Sequence, residues 1–281
     1  MNLQSKDIKK KIGMLPLEQQ KEVLALLEQY EQVKTKEESQ KEFIPFVRSM
    51  WSEFIGGEHH EIMAEAFEKV ASGNLKRLII NMPPRHTKSE FASYLFPAWF
   101  LGQYPEKKVI QTAHTAELAV GFGRKVRNLI QSEEYQRVFS GIELSTDSKA
   151  AGRWNTNKGG DYFAIGVGGA VTGKGADVLI IDDPHSEQDA QAGQYNPEVF
   201  DKVYEWYTSG PRQRLQPGGA IILVMTRWSK RDLTGQILRS MTEREGADEW
   251  EVIQLPAIMP SGSPLWGEYW RLETPHPKKE R

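Results

Sequence analysis

The sequence predicts an α/β protein with a doubly wound, mostly parallel sheet and helices on both faces. Two observations predict this fold class. Runs of apolar, β-forming residues recur at 78–80, 178–181 and 220–225, and segments with helical periodicity separate them. Runs without polar alternation are typical of strands buried on both faces of a parallel sheet. A helical extension is predicted ahead of this α/β unit.

Composition narrows the class of protein. The 281 residues include 39% hydrophobic residues and eight tryptophans, enough for a substantial core. The absence of cysteine excludes disulfides, thiolate zinc sites and cysteine nucleophiles. No apolar run is long enough for a membrane span and no signal region opens the chain, so we expect a cytoplasmic protein without a membrane partner. A net charge of −2 argues against a module that binds DNA constitutively through a basic surface.

Residues 1–42 are predicted to form a helical arm or linker. This segment is rich in Lys, Glu and Gln, and its narrow apolar stripe consists of Val23, Leu24 and Leu27. Two interpretations stay open: a solvated arm, or an element that docks a partner subunit. The main domain is predicted over 43–260, and a Pro- and Gly-rich tail or linker over 261–281.

The stretch Glu58-His59-His60-Glu61 contains four side chains of types that bind metals. Adjacent residues on a helix point about 100° apart, so these four side chains cannot all converge on one ion. We therefore predict the start of a helix with exposed histidines rather than a metal site.

A phosphate-binding loop is predicted at 78–89. An apolar strand leads into the loop Met82-Pro83-Pro84-Arg85-His86-Thr87, and Lys88-Ser89 opens a helix. A helix N-terminus presents free N–H groups and a partial positive charge to an anion. In this arrangement Lys88 reaches the β- and γ-phosphates of a nucleotide, and Ser89 holds Mg²⁺. The candidate nucleotide-binding residues are Pro84, Arg85, His86, Thr87, Lys88 and Ser89.

The match to Gly-x-x-x-x-Gly-Lys-Ser/Thr is imperfect, because Met82 and Thr87 replace the two glycines. A prolyl turn before an ordinary helix is the alternative. The segment 168–175 fits the pattern better, yet a strand follows it. Without a helix N-terminus it lacks a ladder of free N–H groups, so we interpret it as a connection between strands. In a functional interpretation, the same loop presents Lys174 to the active site of a neighbouring subunit.

Two carboxylates, Asp182 and Asp183, follow the apolar run 178–181. Open α/β sheets bind ligands at the carboxyl ends of their strands. This is the Walker B arrangement, in which Asp182 orients Mg²⁺ and Asp183 positions or activates the attacking water. An Asp-Asp pair is also compatible with a simple turn. Its place after a strand, a loop and a Lys-Ser pair strengthens both motifs.

The remaining pattern continues the alternation of strands and helices. Strands are predicted at 107–113, 161–167, 220–225 and 250–255, and helices at 90–101, 116–131, 199–207 and 232–238. Pro97 is expected to kink or end the first of these helices. Thr226, at the tip of a core strand, is well placed to sense a γ-phosphate. The basic residues of the second helix are solvated or contact a DNA backbone; they are Arg124, Lys125 and Arg127.

Four segments together resemble the large terminase subunit of tailed bacteriophages, in order from about residue 43 to 270. They are 82–89, 168–175, 179–184 and 226–235. The resemblance implies an ATPase domain with the additional-strand, RecA-like P-loop fold, using ATP and Mg²⁺. It implies a motor in the host cytoplasm, transiently at the prohead portal, that drives double-stranded DNA into the prohead. A small terminase subunit is the implied partner for DNA recognition, and the active state is expected to be a homo-oligomeric ring, with a monomer compatible with the isolated chain.

The resemblance also assigns roles by motif position. Lys88 and Ser89 correspond to the phosphate and Mg²⁺ ligands. Asp182 corresponds to the Walker B acid, and Asp183 to the catalytic carboxylate. These four positions form the implied centre of ATP hydrolysis.

The resemblance implies roles for three further positions, of which Lys174 departs from the family pattern. Thr226 falls at the motif that couples hydrolysis to movement, and Arg85 is a second phosphate contact. Lys174 stands where relatives often carry an arginine finger that acts in trans. Lysine is a point charge rather than a planar fork, so that role is weaker here.

Full-length terminases continue into an RNase H-like nuclease, which does not fit before Arg281. We therefore expect a separate nuclease domain or polypeptide. Two rival functions stay open. A helicase-like DNA translocase shares both Walker elements but should carry a second RecA-like lobe. A non-catalytic nucleotide-binding assembly module would leave Asp183 and Thr226 without a role.

Overall fold

An eight-stranded sheet forms the centre of the computed structural model, which describes residues 12–270. The strands are β1 (Arg77–Asn81), β2 (Lys108–Ala113), β3 (Leu144–Ala150), β4 (Arg153–Thr156), β5 (Asp161–Gly166), β6 (Ala176–Asp182), β7 (Leu215–Met225) and β8 (Glu251–Gln254). Their order across the sheet is β3-β4-β5-β2-β6-β7-β1-β8. In this order, the strands β5-β2-β6-β7-β1-β8 pair in parallel with their neighbours, whereas β3, β4 and β5 pair antiparallel at one side of the sheet. The predicted α/β class with a mostly parallel sheet is confirmed.

Helices cover both faces of the sheet. The α-helices are α1 (Leu17–Lys41), α2 (Phe43–Met50), α3 (Glu58–Ala71), α4 (Phe96–Gln103), α5 (Ala116–Ile130), α6 (Glu133–Val138), α7 (Glu187–Ala192), α8 (Glu198–Ser209) and α9 (Leu233–Glu243). A π-helical turn, Glu90–Leu95, precedes α4, and a 3₁₀ turn, Pro211–Arg214, precedes β7.

The two faces carry separate apolar cores, because successive side chains of a strand point to opposite faces. On β1, Leu78 and Ile80 belong to the larger core and Ile79 to the smaller one. The larger core is rich in aromatic rings contributed by α2, α3, the π turn and α4: Phe43, Phe46, Phe67, Phe91, Phe96 and Trp99. Helices α8 and α9 complete the smaller core with Val203, Tyr207, Leu233 and Ile237.

The hairpin β3–β4 and the short helices α6 and α7 are not among the elements predicted from the sequence. The β3 sequence, Leu-Ser-Thr-Asp-Ser-Lys-Ala, has little apolar content, so its pairing with β4 rather than its own pattern makes it a strand. Pro97 does not end the helix after the loop, which continues to Gln103. A π turn comes directly before it, where the Phe96 N–H donates to the Phe91 carbonyl oxygen. Pro97 then lies in the first turn of α4, where a missing N–H is tolerated.

The long helix α1 is anchored by its last turn. Ser39 is fully buried, and its carbonyl oxygen accepts a hydrogen bond from Trp99 Nε1 at 3.0 Å. Gln40 donates to the carbonyl oxygen of Val138 at 2.7 Å. The earlier turns are mostly exposed, and residues 1–11 of the predicted arm lie outside the described residues, as do residues 271–281 of the predicted tail. None of the helices within 12–270 combines the length and apolar character needed to cross a lipid bilayer.

Candidate functional site

The carboxyl ends of β1, β7 and β6 lie side by side at one edge of the sheet. β7 is the middle strand, because Leu223 pairs with Ile79 of β1 on one side and with Ile181 of β6 on the other. All three strands are parallel, so the chain leaves each of them on the same edge. The predicted loop after β1, the carboxylates at the end of β6 and Thr226 after β7 therefore converge.

The backbone at this edge is strained. Arg85, Thr87 and Asp183 have φ values of 60°, 66° and 39°, and within 12–270 they are the non-glycine residues with positive φ. Such a left-handed conformation costs on the order of 1–3 kcal/mol per residue and concentrates at functional sites. Thr87 thus adopts the conformation that a glycine adopts at low cost, although it is β-branched. Met82, which replaces the other expected glycine, is not among the positive-φ residues.

Lys88 and Asp183 form an ion pair across the edge. Lys88 Nζ lies 2.8 Å from Asp183 Oδ2, and the two side chains are 7% and 31% exposed. The helix that follows the loop starts at Lys88, so its first backbone N–H groups lie beside this pair. The structure thus brings together the two residues that the sequence assigns to phosphate binding and to water activation.

A chain of hydrogen bonds surrounds the buried carboxylate of Asp182. Ser89 Oγ donates to Asp182 Oδ1 at 2.9 Å, and Ser93 Oγ donates to Asp182 Oδ2 at 2.8 Å. Gln111 of β2 donates in turn to Ser93 Oγ at 3.0 Å. Ser93 and Gln111 escape the sequence analysis, although a glutamine inside the apolar strand Lys-Val-Ile-Gln-Thr-Ala is a usable signal.

Burial raises the pKa of Asp182, and the nearby charge of Asp183 raises it further. The charge of Lys88 and the hydrogen bonds from Ser93 and Ser89 lower the pKa of Asp182, but by less than burial and Asp183 raise it. A carboxylate removed from water without a matching cation favours its neutral form. The negative charge that Asp182 carries when ionised is therefore not fully balanced by Lys88, and a cation beside Ser89 and Asp182 would stabilise it.

Thr226 connects the ends of all three strands. Its backbone N–H donates to Asp183 Oδ1 at 2.7 Å, and its hydroxyl donates to the Met82 carbonyl oxygen at 3.3 Å. Because Lys88 holds Oδ2, both oxygens of Asp183 have partners. Thr226 thus contacts the catalytic candidate and the start of the loop at the same time.

The back of the loop packs on a group of aromatic and imidazole rings. His59 and His60, at the start of α3, are fully buried, so the prediction of exposed histidines is wrong. Trp266 covers them, with ring centroids 5.5 Å from His59 and 5.1 Å from His60. The approach is close, because a Cβ on Gly57 would lie 2.8 Å from Trp266 Cδ1. Part of the segment predicted as a tail thus belongs to the core behind the loop.

His86 is the loop residue that faces this ring group. It is buried, its ring centroid lies 6.3 Å from that of Trp266, and its Nδ1 lies 2.9 Å from the Pro84 carbonyl oxygen. Pro84 and Arg85 are exposed at the tip of the loop. His86 therefore packs against the rings behind the loop, whereas Arg85 is exposed at the tip of the loop.

Lys174 is not brought to this site. Its Nζ lies 2.9 Å from Asp161 Oδ2 and 5.2 Å from the centroid of the Phe163 ring, and its side chain is 13% exposed. Asp161 is the first residue of β5, and Lys174 precedes β6, so both lie at the opposite edge of the parallel sheet. Within this chain the charge of Lys174 is paired and mostly buried, and its action on a neighbouring subunit stays a prediction.

Two of the three basic side chains predicted on α5, Lys125 and Arg127, contact other groups of the same chain. Lys125 Nζ lies 5.5 Å from the Phe122 ring centroid and 5.9 Å from that of Tyr94. Arg127 donates to Asn128 Oδ1, and Arg124 is exposed. A contact of this helix with DNA stays a prediction.

Comparison with known proteins finds a similarity of shape. No protein-family model and no curated protein matches the sequence. The crystal structure of the HK97 bacteriophage large terminase is similar to the chain with a TM-score of 0.40 and 11% sequence identity. The similarity covers 69% of this chain and 38% of the terminase chain, so this chain spans well under half of that protein.

Proposed function

We propose that this chain is an ATP-hydrolysing motor domain of the large-terminase type. The observation that carries the proposal is the Lys88–Asp183 ion pair of 2.8 Å, set between a loop and the end of a neighbouring parallel strand. The position of β7 between β1 and β6 supports an additional-strand P-loop fold. The four sequence segments that resemble terminases point to the same class of protein.

The loop and the helix that starts at Lys88 would hold the phosphates of ATP. Left-handed residues such as Arg85 and Thr87 turn successive backbone N–H groups toward one side of a loop, which makes a concavity for anions. The free N–H groups of the helix start add a partial positive charge. Lys88 contributes the full charge that neutralises the β- and γ-phosphates, and Arg85 is a second phosphate contact.

Phosphate binding would release Asp183 for catalysis. In the structure Lys88 is held by Asp183 Oδ2, so an incoming phosphate competes with this carboxylate for the ammonium group. Once Lys88 turns to the phosphate, Oδ2 is free to accept a proton from the attacking water. The Thr226 N–H keeps Oδ1 in place during this exchange. Positioning of water and neutralisation of charge are the main needs of phosphoryl transfer.

The residues around Asp182 fit a magnesium ion. The carboxylate is buried with a raised pKa, and the hydroxyls of Ser89 and Ser93 donate to it without supplying positive charge, which leaves a demand for a cation. Mg²⁺ prefers oxygen ligands and usually takes one or two carboxylates together with substrate phosphates and water. Ser89 and Asp182 would hold it, and it would supply positive charge that neutralises the phosphates of ATP.

The partners follow from the terminase resemblance. We propose that the domain acts as a ring at the prohead portal in the host cytoplasm, and that it moves double-stranded DNA into the prohead. A small terminase subunit would recognise the DNA, and a nuclease domain or polypeptide would cut it. Thr226 would couple the state of the nucleotide to movement, since it contacts both Asp183 and the start of the loop.

Nucleotide binding and phosphate release test the proposal directly. The purified chain should bind Mg-ATP and release phosphate, with faster release when double-stranded DNA is present. Lys88→Ala should weaken nucleotide binding, and Asp183→Asn should keep binding while release falls by at least about a hundredfold, the usual size of a lost catalytic base. The matched controls are Lys158→Ala and Asp147→Asn, which change exposed residues away from the site.

Three results would count against the proposal. Full phosphate release by Asp183→Asn would remove the catalytic assignment. ATP binding with the same affinity by the wild type and Lys88→Ala would remove the phosphate-loop assignment. ATP binding without any phosphate release, in the presence of DNA, would favour a non-catalytic nucleotide-binding module.

A further inference from the structure

A buried hydrogen bond joins α3 to the phosphate loop. His60 Nε2 lies 2.7 Å from Thr87 Oγ1, and the Thr87 hydroxyl lies 2.6 Å from the His86 carbonyl oxygen. Thr87 precedes the phosphate-binding candidate Lys88 and has a φ of 66°. The contact therefore acts on the loop residue whose backbone is strained.

The hydrogen-bond partners define which imidazole nitrogen carries the proton. The Gly57 N–H donates to His60 Nδ1 at 2.9 Å, and a backbone N–H can only donate. Nδ1 of His60 is therefore an acceptor without a proton, and the proton of the neutral ring is on Nε2. Nε2–H donates to Thr87 Oγ1, which leaves the Thr87 hydroxyl free to donate to the His86 carbonyl oxygen. The three hydrogen bonds thus run in one direction, from the Gly57 N–H through the His60 ring and the Thr87 hydroxyl to the His86 carbonyl oxygen.

The surroundings hold the His60 ring in one place. The ring is fully buried, with centroids 4.8 Å from Phe54, 4.8 Å from Phe91 and 5.1 Å from Trp266. Burial lowers the pKa of His60 to about 3, so the ring stays neutral at physiological pH. A neutral ring with one donor and one acceptor matches its two partners.

We propose that His60 is a positioning residue for the phosphate loop, which it holds in its binding conformation through Thr87. The inference rests on the proposed function, because it assigns the loop to phosphate. In a loop with glycine before the lysine, nothing but the backbone defines the turn. Here the side chain of Thr87 also defines it, because the hydroxyl is fixed between α3 and the loop carbonyl. The left-handed turn is therefore ordered before a ligand arrives.

Four variants separate this role from simple packing. His60→Asn keeps an acceptor near Nδ1 for the Gly57 N–H but removes the donor to Thr87. His60→Gln places an amide donor near Nε2 and should restore the contact. Thr87→Val keeps the shape and branching of the side chain but removes the hydroxyl, whereas Thr87→Ser keeps the hydroxyl.

Two measurements are made on the full chain. The first is the exchange rate of backbone amides in residues 83–91 without nucleotide. The second is the dissociation constant of Mg-ATP with a fluorescent analogue as competitor. His60→Asn and Thr87→Val should each speed exchange in this segment and weaken Mg-ATP binding by about tenfold, the usual scale for a lost hydrogen bond to a preorganised group. His60→Gln and Thr87→Ser should stay within about threefold of the wild type.

The double variant gives the sharpest test. If His60 acts through Thr87, then His60→Asn combined with Thr87→Val should bind Mg-ATP no more weakly than either single variant, because the same contact is lost in all three. Additive losses, or wild-type exchange and binding in Thr87→Val, would overturn the inference. Should His60→Asn fail to fold, Thr87→Val carries the test alone, because its change is at the edge of the ring group.

The two measurements also separate this inference from the proposed function. If the wild type does not bind ATP, but His60→Asn and Thr87→Val both speed amide exchange in the loop, the phosphate assignment is refuted and the positioning role is kept. Normal ATP binding by the wild type, with no effect of Thr87→Val in either measurement, would refute the positioning role alone.

Discussion

Thr226 holds Asp183 by its backbone N–H at 2.7 Å, while its hydroxyl reaches the carbonyl oxygen of Met82 at 3.3 Å. The first contact survives any substitution of the side chain except proline, and the second does not. Thr226 therefore offers a way to remove the connection to the loop while the carboxylate stays in place. Asp183 itself has a φ of 39°, so its geometry depends on such neighbours.

Thr226→Val should keep Mg-ATP binding within about fivefold, because the Asp183 contact uses the backbone and a hydrogen bond of 3.3 Å contributes at most about 1 kcal/mol. We expect the stimulation of phosphate release by DNA to disappear. The measurement is phosphate release with and without double-stranded DNA, and Thr226→Ser, which keeps the hydroxyl, is the control. Equal stimulation in Thr226→Val and the wild type would exclude Thr226 from coupling.

Asp182→Asn should stabilise the metal-free protein at alkaline pH. The raised pKa of Asp182, caused by burial and then by Asp183, means that ionisation of this carboxyl costs free energy in the folded state. Asparagine resembles the protonated form, so its advantage should grow from about pH 4, where an aspartate ionises in the unfolded chain, to about pH 7, the raised pKa of Asp182, and stay constant above that pH. Thermal unfolding of both proteins in the presence of a chelator measures the difference.

The same Asp182→Asn variant should lose phosphate release, because the amide cannot supply the negative charge that a magnesium ion needs. Asp147→Asn, at an exposed position, is the control for both measurements. A variant that is less stable than the wild type at every pH would contradict the account of Asp182 as an uncompensated buried carboxylate.

Acidification should destabilise the folded protein through three buried histidines. Burial lowers the pKa of His59 to about 4, of His60 to about 3 and of His185 to about 4. In the unfolded chain a histidine titrates near 6.5, so below this pH the unfolded state binds more protons and stability falls. Asp182 opposes one of the three, because its raised pKa keeps a proton on the folded state. The net loss is on the order of 2 kcal/mol per pH unit below about pH 6.

Melting temperatures between pH 7.5 and pH 5 test this sign. His60→Gln, which removes one titrating ring, should show a shallower decline than the wild type. A melting temperature that is constant over this range, or that rises on acidification, would contradict the burial of neutral imidazoles.

Lys174→Met should destabilise the fold by about 1–3 kcal/mol, because it leaves the partly buried carboxylate of Asp161 without its 2.9 Å partner. Adding Asp161→Asn should recover most of that loss, since the unpaired charge is then removed as well. We expect the double variant to release phosphate at close to the wild-type rate. Loss of phosphate release in a double variant of normal stability would instead support action of Lys174 on a neighbouring subunit.

Much of the architecture was predictable because its signals are local. Apolar runs identify β1, β6 and β7, and the order of strand, loop and Lys88-Ser89 indicates the phosphate-binding segment. The hairpin β3–β4 was not predictable, because its stability comes from pairing rather than from its own apolar pattern. Exposure of His59 and His60 was predicted wrongly, since a helix start offers no local sign of the tryptophan that covers it.

The sequence by itself determined which residues stand at the ends of strands: Lys88 and Ser89 after one, Asp182 and Asp183 after another, and Thr226 after a third. Periodicity and strand propensity are properties of neighbours in the chain, so they can be read without a structure. Only the tertiary structure decided that β7 lies between the other two strands, that Lys88 is held by Asp183, and that Thr87 is tied to His60. These contacts join residues far apart in the chain, and sheet order and helix packing, which no local pattern specifies, bring them together.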